Sequence, residues 1–299
     1  YIGNGHGAWE AALSNVLSPG ETVLVLKSGR FAVGWGEMAA ALGAVVETLE
    51  GDQRRAVDPA ALETRLREDR AGLIKAVLVV QVDTASGVVN DIPALRRAID
   101  AAGHGALLMV DAIASLATMP FAMDEWGVDV AVTCSQKGLM MSPGLSFIAA
   151  GEKALAAHAA ATLRTRYWDW TRRQGGEHYM KYCGTAPVHL LFGLRRSLDM
   201  LFEEGLENVF TRHRLLADAV QAAVAAWAAG GALDFNISVP AERAPSVTTI
   251  LTGGHDPAPL RDYCRENCGV VLGLGIGELK GKAFRIAHMG HVNAPMVPV

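Results

Sequence analysis

Two side chains stand where an α/β protein does chemistry. Asp111 closes the apolar run "GALLMVD", and Lys137 follows a second apolar run in "DVAVTCSQKG", 26 residues further on. Ligands bind at the C-terminal ends of parallel strands, so a carboxylate and an amine delivered there by separate strands can meet. Each has a plainer reading. The aspartate could cap a helix or a turn, and the lysine could be a solvated turn residue. Lysine is seldom buried unless it is paired or chemically used. With Ser, Gln and Gly beside it, Lys137 has room to form a Schiff base with an aldehyde cofactor.

The opening "YIGNGHGAWEAAL" adds a third feature. Its glycines precede a helical pattern, which suits a phosphate at a helix N-terminus. The spacing Gly3-x-Gly5-x-x-Ala8 equally allows a dinucleotide fingerprint. That alternative needs an acidic residue ending the next strand, to hold a ribose hydroxyl, whereas "TVLVLK" ends in Lys27. Pyridoxal phosphate needs an imine-forming lysine, an acid that keeps its pyridine nitrogen protonated, and a phosphate cradle. Lys137, Asp111 and the opening turn supply them in that order.

The elements that must carry these groups are visible as alternating runs. "TVLVL", "AVVETL", "AVLVVQV", "ALLMVD", "DVAVTCS" and "LSFIAA" read as strands, with helices expected at 7–17, 34–42, 58–69 and 92–102. Uniformly apolar strands spaced by helices argue for a mostly parallel sheet covered on both faces, a three-layer α/β/α fold. After Glu152 the pattern turns helical, and two long periodic helices end at Gly230-Gly231. "VTTILT", a helix at 259–267 and "AFRIAHM" then suggest a small C-terminal α+β domain. The expected division is 1–229 for the large cofactor-binding domain and 230–299 for the small one. The chain begins at Tyr1 without Met, inside a Gly-rich turn, and stops at "NAPMVPV". That is the expectation for a fragment.

Composition narrows the partners. With 299 residues, 51% hydrophobic and 19% charged, the chain can bury a large core. A net charge of -4 offers no basic excess for nucleic acid. No apolar run approaches the roughly 20 residues of a membrane span. Four cysteines in so long a chain do not make a secreted disulfide framework, so a soluble, cytoplasmic protein is expected. Cys264 and Cys268 lack a partnering pair at zinc-like spacing and are expected to be buried thiols. His288 and His291 are weighed as a metal pair, and no metal is expected.

With those residues in view, the chain resembles the class V, fold-type I aminotransferases, and within them the alanine/serine-glyoxylate aminotransferase branch. "GNGHGAWEAAL", "VDTASGVVNDI", "VDAIASLATMPFAMDEWGVDVAVTCSQKGLMMSPGLSFIA", "YWDW", "YCGTAPVHLLFGLRRSL" and "KAFRIAHMGHVN" carry the resemblance in order across essentially the whole chain. It implies that Lys137 holds the cofactor and moves the proton, that Asp111 pairs with the pyridine nitrogen, and that Asn4, Gly5, His6 and Gln136 line the phosphate. Thr84 would bond the cofactor ring oxygen, Phe31 would stack on the ring, and Arg285 would grip the substrate carboxylate. Tyr182 and Thr185 would reach the phosphate of a neighbouring subunit, making a homodimer with shared sites, with pairing into tetramers left open. The implied reaction is a ping-pong transfer from L-serine, L-aspartate or L-alanine to glyoxylate. The resemblance also implies an N-terminal arm and a C-terminal helix, which are expected to be missing from these 299 residues. A class V lyase of the cysteine desulfurase type is the alternative, but it needs a mobile nucleophilic cysteine, and Gln136 stands where that branch has His.

Overall fold

The computed structural model describes residues 1–297. Its first half alternates strand and helix: β1 (Ile2–Gly3), α1 (Gly5–Val16), β2 (Thr22–Leu26), α2 (Arg30–Ala41), β3 (Val45–Leu49), α3 (Pro59–Glu68) and β4 (Ile74–Val80). A short hairpin of β5 (Val82–Asp83) and β6 (Val88–Val89) precedes α4 (Ile92–Ala101), β7 (Leu107–Asp111), β8 (Val130–Cys134) and β9 (Gly144–Ala150). Seven strands form one sheet in the order β1-β9-β8-β7-β4-β2-β3. From β3 through β8 the neighbours run parallel, and β9 and β1 close the far edge antiparallel.

Alternation along each strand builds the layers. In β4, Ala76, Leu78 and Val80 enter a core with Trp9, Leu13 and Trp35 from α1 and α2. Val77 and Val79 point the other way, into a core with Leu62 and Leu66 of α3 and Ile92, Leu95 and Ile99 of α4. Local chemistry starts the second pair of helices. Asp58 and Asp91 cap them through the amides of Ala60 and Ala94, each at 2.9 Å, with Pro59 and Pro93 in the first turns.

The second half is helical at first: α5 (Glu152–Ala160), α6 (Trp170–Arg173), α7 (His178–Tyr182), α8 (Val188–Glu204) and α9 (Leu206–Ala228). β10 (Asp234–Phe235), β11 (Val247–Leu251), α10 (Ala258–Cys268), β12 (Gly273–Leu274) and β13 (Ala283–Ala287) follow, and the strands make an antiparallel sheet ordered β10-β11-β13-β12. Leu216, Val220 and Val224 of α9 pack with Phe235, Ile250 and Phe284. The core of the small sheet therefore reaches back across residue 229.

The expectation for the two cysteines of α10 needs correction. Cys268 is exposed and Cys264 only partly covered, because α10 buries none of its residues. His288 is buried rather than poised for a metal: Nδ1 bonds the Pro245 carbonyl at 2.9 Å and Nε2 meets Thr248 Oγ1 at 3.0 Å. Among the described residues no group of three His, Cys, Asp or Glu side chains could hold a metal, and no helix is long and apolar enough to cross a membrane.

Candidate active site

Asp111 ends β7 in the middle of the large sheet and is only 3% exposed. Both carboxylate oxygens are engaged. Oδ1 accepts from the Ile113 amide and Oδ2 from the Trp9 indole Nε1–H, each at 2.7 Å. Burial pushes the Asp111 carboxyl up to about 7, opposed by these two donors and by Lys137; a second buried carboxylate, Asp83, adds to the rise.

Lys137 lies in the loop after β8, the strand beside β7. Ser135 ties this loop together, its Oγ donating to the Ser142 carbonyl at 2.8 Å and accepting from the Leu145 amide at 3.2 Å. Gly138 is required next to the lysine, because a Cβ there would collide with the Leu116 carbonyl. Lys137 lines a cavity of about 210 Å³ together with Gly5, His6, Phe31, Thr84, Asp111 and Gln136. Seven predicted residues thus come together from five separate segments. Gln136 Oε1 is buried there with no hydrogen-bond partner among the described residues.

The opening turn behaves differently from its glycine pattern. Asn4 is the N-cap of α1, its Oδ1 accepting from the amides of His6 at 3.1 Å and Gly7 at 3.3 Å. Its side chain is spent on the helix and does not line the cavity. The His6 amide, expected to point at a phosphate, is engaged by that cap. Helix α1 nonetheless aims its N-terminus, the positive end of its dipole, at the cavity through Gly5 and His6.

Phe31 lies in the first turn of α2, and its ring meets Trp9 edge-on at 6.4 Å between centroids. Trp9 stacks in turn on Trp35 at 6.0 Å and 17°. Arg285 sits on β13 and is half-buried, which lowers its pKa. It does not line the cavity. Nε donates to the Leu274 carbonyl and Nη1 to the carbonyl of Thr84, a cavity residue, both at 2.9 Å. Tyr182 ends α7 and Thr185 is exposed, and neither lines the cavity of its own chain.

Two residues escaped the sequence reading. Trp9 lay inside a quoted motif, and the available signal was that a buried indole N–H must find an acceptor. Asp83 ends an apolar run just as Asp111 does, so the same criterion could have found it. It is 0% exposed and accepts from the amides of Phe31, Ala32 and Ala85 at 3.0–3.1 Å. The cysteines offer little nucleophilic chemistry here: Cys134 is buried beside the site, and burial pushes its thiol up to about 11.

Residues 2–277 match the family described as aminotransferase class-V. The chain is 42% identical to a serine-glyoxylate aminotransferase of Methylorubrum extorquens, over 97% of this chain and 73% of that protein. It is 40% identical to an L-aspartate-glyoxylate aminotransferase of Paracoccus denitrificans, over 98% and 73%. The crystal structure of an alanine-glyoxylate aminotransferase from Nostoc sp. superposes with a TM-score of 0.88 at 28% identity, covering 99% of this chain and 77% of that one.

Proposed function

This chain belongs to the class V aminotransferase family, which uses pyridoxal 5'-phosphate, and we propose that it moves the amino group of L-serine, or of L-aspartate or L-alanine, onto glyoxylate. The donor leaves as its 2-oxo acid and glyoxylate becomes glycine. The observation that carries the reading is the one cavity that Asp111 and Lys137 line together with Phe31 and Thr84.

The residues present fit the cofactor. Asp111 is a carboxylate that burial holds near neutrality, and a pyridinium N–H would favour its charged form. The N-terminal dipole of α1 suits a phosphate, and Gln136, lining the same cavity, has a side-chain amide N–H that can donate to it. Phe31 offers an aromatic face, and Thr84 a hydroxyl. When bound, the cofactor supplies an electron sink for the pair released at the donor α-carbon.

The chain's own groups do the rest. Lys137 Nζ, in the cavity lining, would hold the cofactor through its aldehyde and, when free, would take the proton that leaves the donor Cα. Trp9 and the Ile113 amide orient the Asp111 carboxylate and favour its ionised form against the burial that opposes it. Arg285 takes the carboxylate common to all the donors, a task suited to a planar fork. Tyr182 and Thr185 act on the phosphate of a second copy, in a homodimer whose sites are shared. The four free cysteines support a reducing cytoplasm as the setting.

The test is direct. Protein loaded with pyridoxal phosphate is given L-serine, L-aspartate or L-alanine with glyoxylate, and glycine and the 2-oxo acid are quantified. Stoichiometric formation of both is expected. Bound cofactor with no glycine from any donor refutes the reading.

A further inference from the structure

Asp83 is a fully buried carboxylate that touches neither cavity lysine nor cavity acid, and its three hydrogen bonds all go to backbone amides. Two of those amides, Phe31 and Ala32, belong to the first turn of α2. That helix has Gly29 at its N-cap, which supplies no side-chain acceptor. A Cβ at Gly29 would collide with the Asp83 carboxyl. The helix is therefore capped from another strand, 52 residues away. Such caps are usually local and need no long-range partner.

The turn that begins at Asp83 is bound on its other side to the small sheet. The Thr84 carbonyl accepts from Arg285 Nη1 at 2.9 Å, and Asn236 Nδ2 donates to the Ser86 carbonyl at 2.8 Å. The Ala244 amide donates to the Gly87 carbonyl at 2.9 Å. Ser86 Oγ also reaches back to the Ser28 carbonyl at 2.7 Å, just before α2. One five-residue turn thus holds Phe31 through Asp83 and Arg285 through the Thr84 carbonyl, while Thr84 itself lines the cavity.

We propose that Asp83 is a positioning residue: by capping α2 from the 83–87 turn it sets the distance between the aromatic wall at Phe31 and the carboxylate-binding group Arg285. The inference rests on the roles given to those two residues under the proposed function. A local cap would hold the helix equally well but would leave that distance free.

Moving the cap separates the two roles. Asp83→Ala, Gly29→Ala, and the double variant Gly29→Asp with Asp83→Ala are compared with wild type. Three quantities are read: melting of the apoprotein, dissociation constant for pyridoxal phosphate, and KM and kcat for the amino donor. Asp83→Ala is expected to lower the melting temperature and to raise both the cofactor dissociation constant and KM about tenfold, with kcat changed by less than about threefold. Gly29→Ala pushes the carboxyl aside without removing it and is expected to act in the same direction. It carries the test if Asp83→Ala does not fold. The double variant recaps α2 locally and is expected to recover the melting temperature while keeping the raised dissociation constant and KM. Recovery of all three in the double variant would make Asp83 a helix cap and nothing more. Unchanged cofactor binding and KM in both single variants would overturn the proposal as well. If wild type forms no glycine, the reaction fails, while cofactor binding and melting still judge Asp83.

Discussion

At the scale of residues, the site is a set of polar groups whose properties come from burial. Lys137 is placed by a loop that Ser135 ties and Gly138 allows, so its replacement removes the amine and little else. Lys137→Ala is expected to fold, to lose the visible absorption of bound cofactor, and to form glycine at least roughly 10³-fold more slowly. Absorbance spectra and a glycine assay check this. Trp9→Phe keeps an aromatic on Trp35 but removes the donor to Asp111 Oδ2. Because burial holds Asp111 up to about 7, its carboxyl is ionised above that pH and protonated below it. A donor matters more to the charged form, so the loss on unfolding should be about 1–3 kcal/mol at high pH and visibly smaller at low pH. Denaturant titrations of the apoprotein on either side of neutrality decide it, and a pH-independent loss would detach Trp9 from the charge of Asp111.

At the scale of elements, the segment after β13 returns to the site. Gly290 lies against the Lys137 carbonyl, and its amide donates to His213 Nε2 at 3.0 Å. His288, three residues past Arg285, is pinned between Pro245 and Thr248. Burial lowers the pKa of both histidines, that of His288 to about 4 from 6.5. The folded state therefore favours neutral His288. Its contribution is complete above the unfolded value and is lost as pH falls from about 6.5 toward 4, roughly 3 kcal/mol across that window. His288→Asn keeps a donor for Pro245 but cannot titrate. The stability gap between wild type and this variant is expected to close as pH drops through that window, measured by melting in buffers of matched ionic strength. A constant gap would show that His288 is not the titrating group.

At the scale of the whole molecule, the small sheet reaches Thr84 of the site through Arg285, and part of the surface is apolar. Phe192 and Phe202 of α8 are 73% and 67% exposed, and Tyr182 and Thr185 lie just ahead of that helix. The proposed homodimer would cover these residues with a second copy. Mixing Lys137→Ala protein with a Tyr182→Phe, Thr185→Ala variant should then create one complete site per hybrid dimer, and random exchange would yield about a quarter of wild-type activity. Activity no higher than the average of the two parents would end the shared-site reading. Much of this architecture was legible in sequence. Apolar runs marked the strands because a doubly covered parallel sheet needs side chains that are apolar on both faces. The same runs located Asp111 and Lys137 at strand ends. What the sequence by itself determined was periodicity and chemical type, which depend on neighbours a few residues away. Three-dimensional packing was needed to reveal that Asn4 spends its side chain as the cap of α1, that Trp9 reaches Asp111, and that Asp83 holds a helix from another strand. It also decided that Arg285 hangs on Thr84, 201 residues distant. Hydrogen bonds across such separations leave no local pattern, and the burial that moves a pKa exists only once the layers have closed.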